Sequence, residues 1–449
     1  MVAGVYHRLT TWGNVAGYRQ HFSASSGAAP TLEEEVRWSQ FLQAEGLRYS
    51  WQSHRRAKPH RSAANSWTFN EPWPNAAQGS ILGFSGVPKM AFEYMRAAMA
   101  MVDISLMYGG LSVKAGLPLN TSITVWIDSE LDTPLSDCQV TLEYIDSNGV
   151  GTAALLATEQ HSLATPVPPG AGRCLSGSRA TEPIGELTGF RPPRRMVGSA
   201  VLLVRVSLQC QVQPQSPATV HASNTYTFGV VNATDDTSVN TTLGADASSY
   251  RMFPGQIPAD RTNFTAALQG HSVCESRCNE TAACVGFTTD QSATNCWLYD
   301  AVCALASSHA DAFHLKPGVP VPPHGPPVSP APPSPPPPHV ALLEPLVNAE
   351  TTHLSVAANV QQMDTLDGQT NITLTLRNAG EHVALFARLA LRESATGPVL
   401  PYALFSENYG CLLPGEESNA TVAIANGGPM VLCVAAWNAA EVCTSILHV

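Results

Sequence analysis

The pattern of hydrophobic and polar positions divides the chain into a helical beginning and two long β-rich stretches. From Asp103 to Val230, short runs of alternating apolar and polar residues are separated by turn residues, which predicts a β-sandwich. A second alternating pattern from Leu342 to Val449 predicts another sandwich. The pattern therefore predicts a mainly β, multidomain protein.

Two helices and one strand are predicted within the first hundred residues. Thr31 can cap the first helix, and Glu34 completes a capping box. Apolar side chains spread around several faces of this helix, so we expect neighbours on more than one side, as in the outer layer of an α/β barrel. The stretch Arg61–Asn70 predicts a short buried strand, and Pro88 is expected at the first position of a second helix ending near Met99.

Composition and charge narrow the function classes. Hydrophobic residues make up 44% of the 449 residues, which is enough for several buried cores, and only 13% are charged. The net charge of −11 disfavours nucleic acid as a partner. No apolar stretch is long enough to predict a membrane span. No cluster of metal ligands or cofactor-binding loop stands out, so we expect neither a metal nor a cofactor.

Cysteines and glycosylation sequons favour a secretory compartment. The chain has 11 cysteines, several of them clustered. Sequons for N-glycosylation occur at Asn120, Asn232, Asn240, Asn263, Asn279, Asn371 and Asn419. The stretch Met1–Tyr6 lacks the basic and apolar regions of a signal peptide. Either the protein is cytosolic with free cysteines, or Met1 is not its natural start, and we favour the second interpretation.

Four sequence blocks carry a resemblance to a known enzyme family. They are Ser39–Arg48 (SQFLQAEGLR), Arg55–Pro59 (RRAKP), Trp67–Pro74 (WTFNEPWP) and Gly86–Tyr94 (GVPKMAFEY). Their order and spacing resemble the end of the catalytic barrel in family 2 glycoside hydrolases, in the β-mannosidase and exo-β-glucosaminidase branch. The resemblance implies that residues 1–100 are a C-terminal remnant of a (β/α)8 barrel.

Two weaker matches extend the resemblance along the chain. Ser223–Phe228 (SNTYTF) resembles the closing strand of the family's first sandwich after the barrel. Ser406–Tyr409 (SENY) and Leu412–Glu416 (LLPGE) resemble a run in its last Ig-like domain. Residues 101–232 and 340–449 are therefore expected to be Ig-like β-sandwiches.

The family hydrolyses β-glycosides with retention, which takes two glutamates about 5 Å apart, one as acid and one as nucleophile. Both lie before the helix that matches Ser39–Arg48, yet none of Met1–Pro30 is Asp or Glu. We therefore expect no catalytic residue in this chain and no glycosidase activity from it. The remaining site wall implied by the resemblance comprises the substrate-binding residues Trp67, Asn70, Glu71 and Trp73. The alternative is that these aromatic residues belong to a core.

Residues 250–316 form a cysteine-rich stretch with the pattern C-x3-C-x5-C-V-G-F followed by C-W-L. The pattern resembles the PAN/apple module, a small disulfide-rich α+β fold. That resemblance implies disulfides Cys274–Cys296 and Cys278–Cys284, whereas spacing alone allows three connectivities. A zinc site is the competing interpretation and is less favoured. The pairing of the other cysteines is not predicted: Cys138, Cys174, Cys210, Cys303, Cys411, Cys433 and Cys443.

Residues 317–339 form a proline-rich linker, which predicts an extended polyproline II spacer and resembles hydroxyproline-rich wall glycoproteins. Our first interpretation is thus the C-terminal portion of a retaining exo-β-glycosidase of glucosaminide or mannoside type, secreted, in the cell wall or vacuolar. Its partner would be a β-linked oligosaccharide or glycoconjugate. The alternative is a non-catalytic extracellular protein that binds carbohydrate or protein through its Ig-like and PAN domains. A structural wall glycoprotein is a third interpretation.

Overall fold

The structure is a computed structural model. It describes residues 21–22, 30–56, 64–74, 79–119, 123–163, 166–167, 172–174, 189–212, 219–233, 251–258, 268–269, 286–289, 295–299, 305–315, 341–361, 369–401, 403–425 and 430–446. The proline-rich linker and most of the cysteine-rich stretch lie outside these residues. None of the helices in this part of the chain combines the length and the hydropathy that a membrane crossing needs.

Helix α1 (Leu32–Arg56) begins where the sequence predicts. The backbone N of Thr31 donates to Glu34 Oε2 at 2.7 Å, and the backbone N of Glu34 donates to Thr31 Oγ1 at 3.3 Å. The predicted capping box is therefore confirmed. The backbone N of Thr31 and its hydroxyl, which donates to Glu34 Oε2 at 2.8 Å, both lower the pKa of the Glu34 carboxyl because they favour its ionised form.

Helix α1 has neighbours on several sides, as the spread of its apolar positions predicts. It packs against a second helix and against strands of the first sandwich. Its buried residues are Trp38, Phe41, Ala44, Glu45, Arg48, Gln52, Arg55 and Arg56. Five of these eight residues are charged or amide-bearing, so α1 joins other parts of the protein through polar contacts as well as through apolar packing.

The segment 64–74 contains no strand, so the buried strand predicted over Arg61–Asn70 is wrong in its described part. The side chains of Trp67 and Phe69 are 79% and 54% exposed. A buried strand needs other strands on its edges and apolar layers on both faces. Here Phe69 O accepts hydrogen bonds from the backbone N atoms of Ile81 and Leu82, which belong to a loop.

Helix α2 (Met90–Ala98) begins two residues later than predicted. Pro88 precedes the helix and pairs with Leu82 in an isolated β-bridge, while Lys89 takes the N-cap position. The backbone N of Lys89 donates to Ile81 O at 3.1 Å. Pro88 therefore belongs to the loop that returns along residues 79–82, and this pairing delays the helix start.

The predicted sandwich after α2 is confirmed as two facing sheets, one of order β1-β3-β6 and one of order β2-β8-β7-β4-β5. Their strands are β1 (Val102–Tyr108), β2 (Ser112–Lys114), β3 (Ile123–Ser129), β4 (Leu135–Asp146), β5 (Leu155–Ser162), β6 (Gly172–Cys174), β7 (Val201–Val212) and β8 (Thr219–Val231). One core of aliphatic and aromatic side chains fills the space between the sheets. A disulfide joins Cys138 to Cys210 where the pairing of β4 with β7 shifts register.

Residues 251–315 contain a five-stranded antiparallel sheet of order β10-β12-β11-β13-β9. Its strands are β9 (Arg251–Pro258), β10 (Leu268–Gln269), β11 (Gly286–Thr289), β12 (Asn295–Tyr299) and β13 (Leu305–Leu315). Cys296 lies on β12, whereas Cys274, Cys278 and Cys284 lie outside the described residues. The PAN/apple module and its two disulfides therefore remain predictions.

A second sandwich follows the short helix α3 (Glu344–Val347), with sheets of order β14-β15-β18 and β17-β16-β19-β20. The strands are β14 (Leu354–Gln361), β15 (Gln369–Asn378), β16 (Ala384–Arg392), β17 (Gly410–Leu412), β18 (Glu417–Ala425), β19 (Met430–Ala436) and β20 (Ala439–Ile446). Cys433 and Cys443, directly opposite each other on β19 and β20, form a disulfide.

A cluster of aromatic side chains fixes α1 to the second sandwich, and we call it the aromatic joint: Phe22, Trp38, Phe41, Phe386 and Trp437. Their ring centroids lie between 4.9 Å (Phe386–Trp437) and 6.0 Å (Phe22–Trp437) apart. Such pairs each contribute about 0.5–1.5 kcal/mol beyond the area that they bury. The joint therefore holds the helical region and the second sandwich in a defined arrangement.

Candidate functional site

The residues implied as substrate-binding lie on the described part of the loops around α2. Trp67, Phe69, Trp73 and Phe84 expose between 51% and 79% of their surface, and we call these four side chains the aromatic surface. Asn70, between two of them, is also exposed. The four lie on two loop segments that backbone hydrogen bonds from Ile81 and Leu82 to Phe69 O hold together, and planar aromatic rings suit the apolar faces of sugar rings.

Glu71 differs from its neighbours because it is buried, with 8% exposure. Lys89 Nζ lies 2.9 Å from Glu71 Oε1 and 2.8 Å from Ser80 Oγ, and Ser80 Oγ also donates to Glu71 Oε1. The Glu71 carboxylate is thus held by an ammonium and a hydroxyl at once. This arrangement ties segment 64–74 to the start of α2. It suits a positioning role for Glu71, because an acid–base catalyst needs an accessible carboxyl.

Gln43 supports the aromatic surface from α1. Its Nε2 donates to the carbonyl oxygens of Gly79 at 2.7 Å and Ser80 at 3.1 Å. These are the residues whose backbone runs beside segment 64–74, and Trp67 O lies close to Gly79. The motif residue Gln43 therefore holds the loop behind the aromatic surface in place.

A buried ion pair joins α1 to the first sandwich. Arg48, 2% exposed, donates from Nη2 to both carboxylate oxygens of Glu45 at 2.7 Å and from Nη1 to Thr225 O at 2.8 Å. Its guanidinium lies 4.5 Å from the ring centroid of Tyr94 and 4.1 Å from that of Tyr226. Charge, hydrogen bonds and two cation–π contacts thus meet at Arg48. The motifs SQFLQAEGLR and SNTYTF contact each other here.

A second ionic contact joins the two sandwiches. Arg205 on β7 lies 2.8 Å from Glu416 and 3.1 Å from Glu143, and it donates to Cys411 O at 2.7 Å. Glu416 follows Gly415, whose φ of +79° is a conformation that glycine adopts without strain. The sequence LLPGE thus builds the turn that presents Glu416 to Arg205. The sequence identified the motif LLPGE but did not predict that Glu416 pairs with Arg205.

A cleft of about 530 Å³ opens between α2, β8 and the second sandwich. Its charged lining includes Glu93 and Arg96 on α2 and Glu407 on the second sandwich, and Arg96 Nη2 lies 2.6 Å from Glu93 Oε2. Burial raises the pKa of the Glu93 carboxyl to about 7, against the effect of Arg96 and with a contribution from Glu407. Partial burial also raises the pKa of Glu407. Sequence reasoning missed this cleft, because its walls come from three separate parts of the chain.

Asp103, at the start of the first sandwich, lies at the inner end of the cleft in a buried polar network. Its carboxylate accepts hydrogen bonds from Asn224 Nδ2 at 2.9 Å and from Gln52 Nε2 at 3.1 Å, and Tyr226 OH donates to Gln52 Oε1 at 2.9 Å. Burial raises the pKa of Asp103 to about 6, although Arg55 acts in the opposite direction. These partners are all protein groups, so the network stabilises the contact between α1 and the sandwich.

The cysteines and sequons are only partly described. Cys411 is a free, buried thiol, and Cys433, Cys443 and Glu441 lie close enough to share a metal ion. Since both of those cysteines are in a disulfide, this group offers no thiolate ligands. Asn419 is an exposed sequon residue, and Asn232 and Asn371 are also described. The sequons at Asn120, Asn240, Asn263 and Asn279 lie outside the described residues.

Comparison with known protein families gives one match. Residues 336–439 match the model of the exo-beta-D-glucosaminidase Ig-fold domain. The match covers the second sandwich up to the first residue of β20, and the run SENY and the motif LLPGE lie within it. A search of the curated proteins found no match.

Comparison with solved structures shows where this fold occurs. The exo-chitosanase CsxA of Amycolatopsis orientalis matches with a TM-score of 0.57 and 15% sequence identity over 99% of this chain and 38% of that chain. The same protein in complex with PNP-beta-D-glucosamine matches with a TM-score of 0.53 and 16% identity, over 97% of this chain and 39% of that chain. This chain thus spans less than two fifths of the length of that protein and shares the fold of that part.

Proposed function

We propose that this chain is the C-terminal portion of a retaining exo-β-glycosidase of family 2, acting on a glucosaminide or a mannoside. The observation that carries the proposal is the match of residues 336–439 to an Ig-fold domain described for exo-beta-D-glucosaminidases. The fold shared with an exo-chitosanase along almost the whole chain supports it. The four blocks around residues 39–94 add motifs of the same family outside the matched domain.

In this proposal the chain comprises a barrel remnant (1–100), an Ig-like sandwich (101–232), a PAN/apple-like module (250–316), a linker (317–339) and a second Ig-like sandwich (340–449). The module would carry disulfides Cys274–Cys296 and Cys278–Cys284 and bind a protein or a glycan. The clustered cysteines and the sequons support a secreted, wall or vacuolar location.

The aromatic surface is the proposed contact with the sugar. Trp67 and Trp73 would stack on sugar rings, because both indoles are more than half exposed. Asn70 is exposed between them and offers an amide to hydroxyl groups. Glu71, buried behind this surface, would position the tryptophans, because its ion pair with Lys89 fixes the loop that carries them.

The chain itself is proposed to bind the sugar without hydrolysing it. Retaining hydrolysis needs two carboxyl groups about 5 Å apart on either side of the glycosidic bond. In the described segment 64–74, the carboxylate is supplied by Glu71. Its Oε1 already accepts hydrogen bonds from Lys89 and Ser80. This favours the alternative role of carbohydrate binding for the chain when it acts alone.

The test measures binding and turnover on the full 449-residue chain. Chitosan oligosaccharides should quench tryptophan fluorescence, and Trp67→Ala should weaken binding by about tenfold or more, since covering a large exposed apolar side chain contributes on the order of 1.5–3 kcal/mol. Leu32→Ala is the matched control, because Leu32 is 77% exposed but lies at the start of α1. A panel of nitrophenyl β-glycosides should show no turnover.

Two results would overturn the proposal. Turnover by this chain that is abolished in Glu71→Gln would show that it contains its own catalytic carboxyl. Oligosaccharide binding that is equal in the parent chain and in Trp67→Ala would move the sugar site away from the aromatic surface.

A further inference from the structure

The outer face of sheet β14-β15-β18 carries a sequon whose two functional groups share that face. In antiparallel strands, residues directly opposite each other share a face, and so do residues two apart along a strand. Thr375 lies opposite Asn419, and Thr373 lies opposite Thr421. Ala420, between the sequon residues Asn419 and Thr421, is 4% exposed and belongs to the core. The amide and the hydroxyl of this sequon therefore both project away from the core.

The side chains around Asn419 leave room for a bulky group. Most described positions of the outer face hold small, uncharged residues: Ser355, Ala357, Thr373, Thr375, Thr421 and Ala423. Arg377 and Glu417 lie at one end of this face, with their charged groups 3.6 Å apart. On the side away from this ion pair, a large substituent on Asn419 would meet only small side chains of the described face.

The neighbouring strand orients the side-chain amide of Asn419. Thr375 Oγ1 donates to Asn419 Oδ1 at 2.9 Å. Because Oδ1 and Nδ2 branch from the same carbon in different directions, a hydrogen bond that turns Oδ1 toward β15 turns Nδ2 away from it. Asn419 itself is exposed. The hydrogen bond thus presents Nδ2 to solvent, and a substituent on Nδ2 would leave that bond intact.

The other two sequons with a described asparagine differ from this one. Asn371 shares the outer face but is half-buried on the central strand β15, with Ala423 opposite on one side and Gln361 on the other. Asn232 is exposed after the end of β8, but the hydroxyl residue of its sequon lies outside the described residues. In the described part of the chain, Asn419 therefore belongs to the sequon whose amide and hydroxyl residues are both exposed.

We propose that Asn419 carries an N-linked glycan, which projects from the outer face of sheet β14-β15-β18. The transfer forms a bond between Asn419 Nδ2 and the anomeric carbon of an oligosaccharide carried on a polyprenyl pyrophosphate. The bond from that carbon to the pyrophosphate breaks, the lipid pyrophosphate leaves, and Nδ2 gives up one proton. Entry into the secretory pathway rests on the proposed function, whereas the choice of Asn419 rests on the geometry of β18.

Mass spectrometry of the full chain, expressed with a signal peptide in a eukaryotic secretory host, tests the proposal. Peptide-N-glycosidase in heavy-oxygen water converts each glycosylated asparagine to a labelled aspartate, so the peptide that contains Asn419 gives its occupied fraction. Most molecules should carry the label at Asn419, whether the protein is recovered from the medium or from the cells. An unlabelled Asn419 in the folded protein would overturn the proposal.

Variants at Thr421 separate loss of the site from loss of the fold. Thr421→Ala should remove the label from Asn419, and Thr421→Ser, which keeps a hydroxyl, should retain it. Ala423→Ser, at an exposed outward position of the same strand, is the matched control and should leave the label unchanged. A label that persists in Thr421→Ala would not come from a sequon-dependent glycan, and the proposal would then fail.

The same digestion of the protein from its natural source separates the glycan from the proposed location. A label at Asn419 in both preparations supports both. A label in the secretory preparation alone would overturn the glycan in the natural protein together with the secreted location. Sugar binding at the aromatic surface does not enter this measurement, so the glycan and the sugar site can fail independently.

Discussion

The aromatic joint and the aromatic surface use the same residue types in opposite ways. In the joint, Trp38 is 4% exposed and stacks on Phe22 with ring centroids 5.4 Å apart. On the surface, Trp67 is 79% exposed. The two tryptophans lie within 40 residues of each other: Trp38 belongs to α1, and Trp67 lies on the segment that follows this helix. The difference is that α1 and the second sandwich enclose Trp38, while Trp67 lies on a loop.

This difference separates residues that hold parts of the protein together from residues that are exposed to a ligand. Burying an aromatic side chain contributes about 1.5–3 kcal/mol to folding, whereas an exposed one contributes little. Three residues of the sequence motifs have the same structural role as the aromatic joint: Gln43, Arg48 and Glu416. Each forms a hydrogen bond to another part of the protein. Motif membership alone therefore does not identify a ligand contact.

The largest effect is expected from breaking the buried ion pair. Arg48→Met keeps the length of the side chain but leaves the Glu45 carboxylate buried without its cation, which should lower the free energy of unfolding by about 3–5 kcal/mol. Urea unfolding followed by tryptophan fluorescence measures the change. The double variant Glu45→Gln/Arg48→Met should recover part of the loss, since no buried charge remains.

Arg37→Met on the same helix is the control for this prediction. Arg37 is 40% exposed and pairs with Glu33 at 2.5 Å, so its loss should cost less than about 1 kcal/mol. Equal effects of the two substitutions would contradict the structural importance assigned to Arg48.

A smaller effect is expected from pH, through Glu93. The pKa of Glu93 is raised from its ordinary value of 4.5 to about 7, so the folded protein holds this proton more tightly than the unfolded chain. Its contribution to stability is complete below pH 4.5 and is lost as pH rises to about 7. At about 1.4 kcal/mol per pKa unit, the loss is on the order of 3 kcal/mol.

The groups that face Glu93 are Arg96 on its own helix and Glu407 and Tyr409 on the second sandwich. Comparing urea unfolding at pH 4.5 and pH 7.5 measures the effect, and Glu93→Gln should reduce it, while Glu407, whose pKa is also raised, contributes with the same sign. The buried Asp103, whose pKa is raised to about 6, supplies a remaining dependence of the same sign. A pH dependence that is identical in Glu93→Gln and the parent chain would refute the role given to Glu93.

Local patterns predicted much of the fold. The alternation after Asp103 predicted both sandwiches, and Thr31 with Glu34 predicted the start of α1, because each depends on residues close together in sequence. The strand predicted over Arg61–Asn70 failed for the opposite reason. Whether an apolar segment becomes a strand depends on neighbours that supply edges and layers, and here a loop with Ile81 and Leu82 takes that place.

The site was predicted less completely than the fold. Family motifs pointed to Trp67 and Trp73, and both prove exposed. They did not predict the contact of Glu71 with Lys89 and Ser80, since hydrogen-bond partners depend on how two loops meet. The cleft needed three-dimensional information altogether: Glu93 and Glu407 are more than 300 residues apart, and only the docking of the second sandwich brings them together.

The smallest effect is expected on the aromatic surface itself. Trp67→Ala should change the free energy of unfolding by no more than about 0.5 kcal/mol, as is usual for exposed side chains. Trp38→Ala, the matched buried tryptophan, should cost about 3–5 kcal/mol because it leaves a cavity beside Phe22. Urea unfolding of both variants gives the comparison directly. A loss above 2 kcal/mol in Trp67→Ala would mean that another part of the chain covers Trp67 in solution, and the aromatic surface would then belong with the joint.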